Sequence, residues 1–308
     1  MNILITGGNG FIAKTLKEKL SNYNIFAPVK NELNILDESL LKEYIYNNEI
    51  DIIIHTANIG GYENKLDEKE TFQSNLKMFL NVANQSKNVK KIIHLGSGAE
   101  YSKDRPIVKV DELDSLKSLP NDDYGLYKSI CSRFIEQSEN IINLRIFGCY
   151  GEYEDYNYKF ISNSILKNLL EQPIIINQNV LFDYIYVDDL IKMIEYFIIN
   201  ENKYKVYNVS RGESIDLVSI CKIINSIGSF NSEIKVLKEG LNNEYTSNNN
   251  RFIDEVSSFN FTTHEKAIFN MYKYFENNLS KIDKSKILED KYLQKCNNIW
   301  IEGKNENC

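Results

Sequence analysis

Cysteine is sparse in this chain of 308 residues. Its five copies, Cys131, Cys149, Cys221, Cys296 and Cys308, are odd in number and never fall at the close paired spacing of a zinc site or redox pair. That scatter excludes a disulfide framework and points to a reduced, cytoplasmic protein. Histidine is scarcer still. None of His55, His94 and His264 stands at ligand spacing from cysteines or carboxylates, so they read as core or surface residues and no metal is expected. Basic charge is also short: 36 Lys and Arg against 43 Asp and Glu leave a net charge of −7. This argues against a nucleic-acid partner, because neutralising phosphates takes clustered cations, and any anionic ligand must be held by local donors. No apolar run approaches the ~20 residues of a membrane span. Met1 to Thr6 runs straight into a strand and a glycine turn, so no signal peptide is expected. There is no internal repeat.

What is present is a 43% hydrophobic chain, long enough to bury a full core. Short apolar runs at Ile3 to Ile5, Ile25 to Ala27, Ile52 to His55, Ile92 to Leu95 and Ile142 to Ile146 alternate with helix-length amphipathic stretches. Strands that are apolar throughout, separated by helices, predict βαβ units and an α/β, doubly wound parallel sheet of the Rossmann kind. The rhythm changes after Gly151, where helices near Ile161 to Leu170, Asp189 to Ile198 and Leu217 to Ile227 accompany a strand near Tyr184 to Val187. The expected division is a dinucleotide-binding domain over 1–150, with 180–200 returning to it. Residues 151–308 should form mainly a smaller substrate-binding lid and a C-terminal tail. The Asn-rich run Asn242 to Asn250 reads as an exposed loop.

Thr6-Gly7-Gly8-Asn9-Gly10-Phe11-Ile12-Ala13 follows the first strand and opens a helix, the context that gives a GxxGxxA pattern meaning. Gly7 permits the tight turn, Gly10 lets the backbone approach a pyrophosphate, and Ala13 allows close helix packing while the helix N-terminus faces the anion. Gly7, Asn9, Gly10, Phe11 and Ile12 are therefore candidate cofactor residues. The second strand ends in Ala27-Pro28 and is followed by Lys30, where an NAD enzyme more often presents an acid. A cation there favours NADP(H) over NAD(H); the other reading is a solvated loop lysine.

Ser97 lies just past the fourth strand, at the carboxyl edge where open α/β sheets bind ligands. Tyr124 and Lys128 follow at i and i+4, which places phenol and ammonium on one helix face. A phenol is a poor acid at neutral pH, so the Lys128 cation and the nicotinamide charge should depress its pKa, with Ser97 bonding the reacting oxygen. Asp188-Asp189 tempts a metal reading, but an acidic pair opening a helix is explained by N-capping and the macrodipole.

Thr6 to Ala13, Ser97 and Tyr124-Gly125-Leu126-Tyr127-Lys128 resemble the extended short-chain dehydrogenases/reductases, which include nucleotide-sugar epimerases, dehydratases and reductases; the likeness covers roughly 1–275. Within them, the stretches Val29 to Asp37, Ala57 to Gly61 and Leu95 to Tyr101 look most like the GDP-fucose synthases, NADPH-dependent epimerase-reductases of a 4-keto sugar. The resemblance implies Ser97, Tyr124 and Lys128 as the catalytic set and Lys30 as the partner of a 2′-phosphate. It adds Asp37, Ala57, Asn75, Tyr124 and Lys128 to the cofactor site and Ser97, Gly98, Ala99, Lys159 and Arg211 to the substrate site. It also implies a nucleotide-sugar substrate and a homodimer.

Departures from the family pattern narrow the reaction. A GDP-fucose synthase epimerises C3 and C5 with a Cys two residues after the catalytic Ser and a His before the lid; here those positions are Ala99 and Lys159. Dehydratases place Asp-Glu where this chain has Gly98-Ala99. Phe182 stands where an Arg often contacts the diphosphate, and Gly148 where an Asn is common. The implied reaction is therefore C4 keto reduction of a 4-keto-6-deoxy nucleotide sugar without C3/C5 epimerisation. A 4-epimerase and a non-catalytic dinucleotide sensor are the alternatives.

Overall fold

The computed structural model describes residues 1–60, 69–294 and 296; Gly61, which ends one of the stretches above, and the tail 297–308 with Cys308 lie outside them. The first half runs β1 (Asn2–Thr6), α1 (Phe11–Lys19), β2 (Asn24–Phe26), α2 (Glu38–Asn47), β3 (Ile52–His55), α3 (Lys69–Ala83), β4 (Lys91–Ser97), β5 (Ile107–Val110), α4 (Asp123–Glu136) and β6 (Ile141–Ile146). It continues with β7 (Gly148–Tyr150), α5 (Phe160–Leu169), β8 (Ile174–Asn179), β9 (Leu181–Phe182), β10 (Tyr184–Tyr186), α6 (Val187–Ile199) and β11 (Val206–Val209). β12 (Ile215–Asp216), α7 (Leu217–Ile227), β13 (Ile234–Leu241), β14 (Tyr245–Ser247), α8 (Asn250–Val256), α9 (His264–Asn277) and α10 (Lys284–Leu288) complete it.

The main sheet has six parallel strands in the order β11-β6-β4-β3-β1-β2, the doubly wound arrangement. Its period of two decides which residue meets which helix layer. Ile3, Ile5, Ile52 and Ile54 belong to the core packed under α1 and α6, whereas Leu4 and Ile53 belong to the core under α2, α3 and α4. Every residue of β3 is buried because both faces are covered, which explains the unbroken apolar run. Each such isoleucine contributes roughly 1.5–3 kcal/mol of burial.

The second layer is built differently. β8 and β13 form a parallel pair, β8 packs against α5 and α7 with α9 on those two helices, and a four-stranded sheet of order β12-β9-β14-β5 borrows β5 from the first half. Three expectations shift here. β11 pairs with β6 in the main sheet, so residues beyond 180–200 also return to it. The run 242–250 is not a plain exposed loop, since β14 is paired with both β5 and β9, and Thr246, Ser247 and Asn249 are buried by that pairing. Asp188 and Asp189 occupy the first turn of α6, but the N-cap is Tyr186 without a side-chain bond. Asp188 instead pairs with Lys19 on α1 at 2.9 Å, and buried Asp189 accepts from the Thr262 amide and hydroxyl at 2.7 and 2.9 Å.

No helix among the described residues is long and apolar enough to cross a membrane.

Candidate active site

Because the six strands are parallel, the ends of β1, β3, β4 and β6 open on one edge, and the strand order reverses beside β1. Ligands of such sheets bind at that crevice. Two cavities lie along it. A cleft of about 340 Å³ is lined by Thr6 to Gly10, by Pro28 to Lys30 and by Ala57 to Ile59. A larger cavity of about 970 Å³ begins at Gly10, Phe11 and Ile12 and extends past Ser97, Tyr124 and Lys128 to Lys159, Phe182 and Tyr245.

The cleft suits a dinucleotide. Gly7 sits at φ +73°, in the left-handed region, and a Cβ there would come 2.9 Å from the Ala57 backbone, so the turn requires glycine. Gly10 is the N-cap of α1 and makes no side-chain cap, leaving first-turn amides for an anion. Lys30 is exposed on the cleft wall. Asn75 is buried and does not line either cavity. Its side chain accepts from the Ile59 amide at 2.8 Å and donates to the Ile59 carbonyl at 3.1 Å, fixing the loop that does line the cleft. Asp37 also stays outside, because its carboxylate caps α2 by accepting from Ser39 and Leu40.

In the larger cavity, Asp122 caps α4 through the Gly125 amide at 2.8 Å and thereby sets the helix face that carries Tyr124 and Lys128. Ser97 hydrogen-bonds the Tyr124 phenol. The Ser97 hydroxyl also accepts from the Ala99 amide at 3.1 Å, and its own amide donates to Glu100 at 3.0 Å. The expected depression of the Tyr124 phenol by Lys128 is not found. Burial raises the phenol above its ordinary value, opposed by the bond to Ser97, while Glu100 and Asp122 raise it further. The reason is where the ammonium goes: Lys128 Nζ donates to the Leu95 carbonyl at 2.6 Å, and its own desolvation lowers its pKa.

Other expected substrate residues divide. Ala99 and Lys159 line the cavity, whereas Gly98 lies beneath it against Tyr245. Arg211 lines neither cavity, since its guanidinium is engaged by Glu213 and the Thr262 carbonyl. His55 and His94 are buried neutral rings, His55 pushed down to about 3 and His94 also lowered, both chiefly by desolvation.

Three features escape sequence reasoning. Asn58 lines both cavities and accepts from the Tyr127 phenol. Glu154 is a buried carboxyl in the cavity wall, its pKa raised to about 7 chiefly by desolvation, and it accepts from the Ser162 amide. Arg145 and Glu100 form a fully buried ion pair at 2.7 Å directly behind the Ser97 turn. An arginine inside an apolar strand signals a buried partner, which could have been sought from the sequence; Glu154 carries no such mark.

Residues 3–210 match the NAD dependent epimerase/dehydratase family. The chain belongs to that family. Its members are extended short-chain dehydrogenases/reductases, and the dinucleotide turn, Ser97, Tyr124 and Lys128 all fall within the matched span. GDP-L-colitose synthase of Yersinia pseudotuberculosis is 25% identical over 257 residues, covering 74% of this chain and 82% of that protein. The fold is shared with a GDP-L-fucose synthetase from Naegleria fowleri bound to NADP, at TM-score 0.79 and 17% identity over 91% of this chain and 93% of that one. It is also shared with UDP-glucose 4-epimerase of Thermotoga maritima, at TM-score 0.76 and 20% identity over 91% and 100%.

Proposed function

We propose that this epimerase/dehydratase family member reduces the C4 keto group of a 4-keto-6-deoxy nucleoside-diphosphate sugar with NADPH, leaving C3 and C5 untouched. The carrying observation is that Ser97, Tyr124 and Lys128 line one cavity with Gly10, Phe11 and Ile12 of the dinucleotide turn. A nicotinamide dinucleotide supplies the hydride. Gly7, Asn9, Gly10, Ala57 and Lys30 would hold it, with Lys30 beside a 2′-phosphate. Tyr124 donates its proton to the sugar oxygen as the C4 alkoxide forms, and Ser97 holds that oxygen in line. Lys128, on the Leu95 carbonyl, holds a positive charge beneath the helix face that carries Tyr124. The printed names of the colitose synthase relative and of the NADP-bound fucose synthetase neighbour support this substrate class.

C3/C5 exchange needs an acid and a base on opposite faces of the sugar; of the two positions that would supply them, Ala99 has only a methyl group, which leaves Lys159 in the cavity wall without its counterpart. Cys149 lines the cavity, but burial lifts its thiol far above neutrality. Incubation with NADPH and 4-keto-6-deoxy sugars on guanine, cytosine, thymine and uracil diphosphates should consume NADPH with at least one of them. Tyr124→Phe should lose about 10² to 10⁴ of that rate. In deuterium oxide the product should carry no enzyme-dependent label at C3 or C5. Consumption of NADPH with none of the panel overturns the reading, and rapid labelling would implicate Glu154 as a base.

The shared fold with UDP-glucose 4-epimerase favours one second reading, a 4-epimerase. Protein that purifies with bound NAD⁺ and interconverts two nucleotide sugars without added cofactor would establish it.

A further inference from the structure

Tyr245 belongs to none of the expected site residues, lies in the Asn-rich stretch, and yet stands beside the reacting centre. β14 carries it between β5 and β9, and the Asp183 amide donates to its carbonyl at 3.1 Å, so its backbone is fixed. Its ring is boxed by Phe147, with centroids 5.0 Å apart, and by Phe182 at 6.0 Å. The phenol ends against Gly98, the residue after Ser97: a Cβ placed on Gly98 would lie 2.3 Å from the Tyr245 hydroxyl and 2.9 Å from its ring carbon. Gly98 has no positive φ, so space for this ring, not backbone freedom, is what position 98 needs glycine for.

The hydroxyl meets no hydrogen-bond partner among the described residues, and it is not sealed from solvent as the buried unpaired atoms are. Tyr245 lines the large cavity together with Ser97, Ala99 and Tyr124. A phenol without a protein partner, held rigid by two aromatic neighbours, has little rotamer entropy left to lose on meeting a ligand. Burial, with the Tyr124 phenol adding, keeps it far above its ordinary pKa, so it acts as a neutral donor.

We propose that Tyr245 orients the sugar, its hydroxyl donating to a hexose oxygen next to the carbon held by Ser97 and Tyr124. This deepens the nucleotide-sugar reading and rests on it. Tyr245 is a specificity-determining residue: a sugar lacking that oxygen loses the contact, and a side chain at position 98 displaces the ring.

Equilibrium binding in the presence of NADP⁺ tests this without turnover. GDP-, CDP-, dTDP- and UDP-hexoses are titrated into wild type, Tyr245→Phe and Gly98→Ala, alongside the matching nucleoside diphosphates that lack a sugar. Both variants should weaken the best nucleotide sugar about tenfold and leave the sugarless diphosphate unchanged, with NADP⁺ binding confirming an intact fold. Equal affinity of Tyr245→Phe and wild type for the sugar nucleotide overturns the inference, as does an equal loss for the sugarless diphosphate. Wild type that binds no sugar nucleotide overturns the substrate class and this inference together. Wild type that binds one without consuming NADPH removes the reductase reading alone, and the variant comparison still decides Tyr245.

Discussion

Two charged side chains show how position alone sets chemistry. Glu154 has an ordinary carboxyl pKa of 4.5 raised to about 7 by desolvation, with Lys159 and the Ser162 bonds only partly opposing it. At pH 4.5 and below, folded and unfolded forms both hold the proton. Between 4.5 and about 7 the unfolded chain releases a proton that the folded one keeps, so stability falls as pH rises. Above pH 7 the full cost remains, roughly 3 kcal/mol. Glu154→Gln keeps an acceptor for the Ser162 amide and removes that cost. Thermal unfolding should show little gain for the variant at pH 5 and a clear gain at pH 8; a pH-independent difference would refute the assignment. Lys30 is the opposite case, an exposed cation whose value lies only in what it faces. Lys30→Ala should weaken NADPH about five- to tenfold and leave NADH unchanged, measured by quenching of protein fluorescence. Equal effects on both cofactors would make it a solvated loop lysine.

At the scale of an element, the turn after β4 is held from behind. Glu100 accepts from the Ser97 amide, from Asn143 at 3.1 Å and from Arg145 Nε at 2.7 Å, while the Arg145 fork also donates to Tyr101, Ser115 and Ser132. These bonds tie the Ser97 turn to β6 and α4, so the strand positions Ser97 as well as carrying core isoleucines. Arg145→Met strands a buried carboxylate and should cost about 3–5 kcal/mol in urea unfolding. Adding Glu100→Gln should recover much of that loss, a coupling that a double-mutant cycle reads directly. Additive losses would show the pair to be independent. The elements themselves were largely legible: β1, β3, β4 and β6 fall within a residue or two of their apolar runs, and α7 matches Leu217 to Ile227. β14 was not, because Tyr245-Thr246-Ser247 is a short segment inside an Asn-rich stretch and its strand exists only through β5 and β9.

At the scale of the whole molecule, the larger cavity is walled by segments from both halves, from Gly10 to Tyr245. Ligands there should tie the two layers together. NADPH at a hundredfold over its Kd should stabilise the fold by about 2.7 kcal/mol, read as a rise of a few degrees in Tm. Tyr124→Phe should keep most of that rise, because it removes one hydroxyl and leaves the Gly7 to Gly10 turn and Lys30 intact; loss of the rise would make the phenol the chief cofactor contact. The sequence by itself determined the parallel α/β class and the turn at Gly7 and Gly10, and it singled out Ser97, Tyr124 and Lys128, which line one cavity. These are properties of local period, local conformation and i to i+4 spacing, which neighbouring residues settle. The tertiary structure alone decided that Arg211 and Asp37 line neither cavity while Asn58, Glu154 and Tyr245 do line one. It also decided that burial, not Lys128, governs the Tyr124 phenol. Those outcomes depend on which side chains, often a hundred or more residues apart, the strand register and helix packing bring to one sheet edge, and on how much water that packing removes.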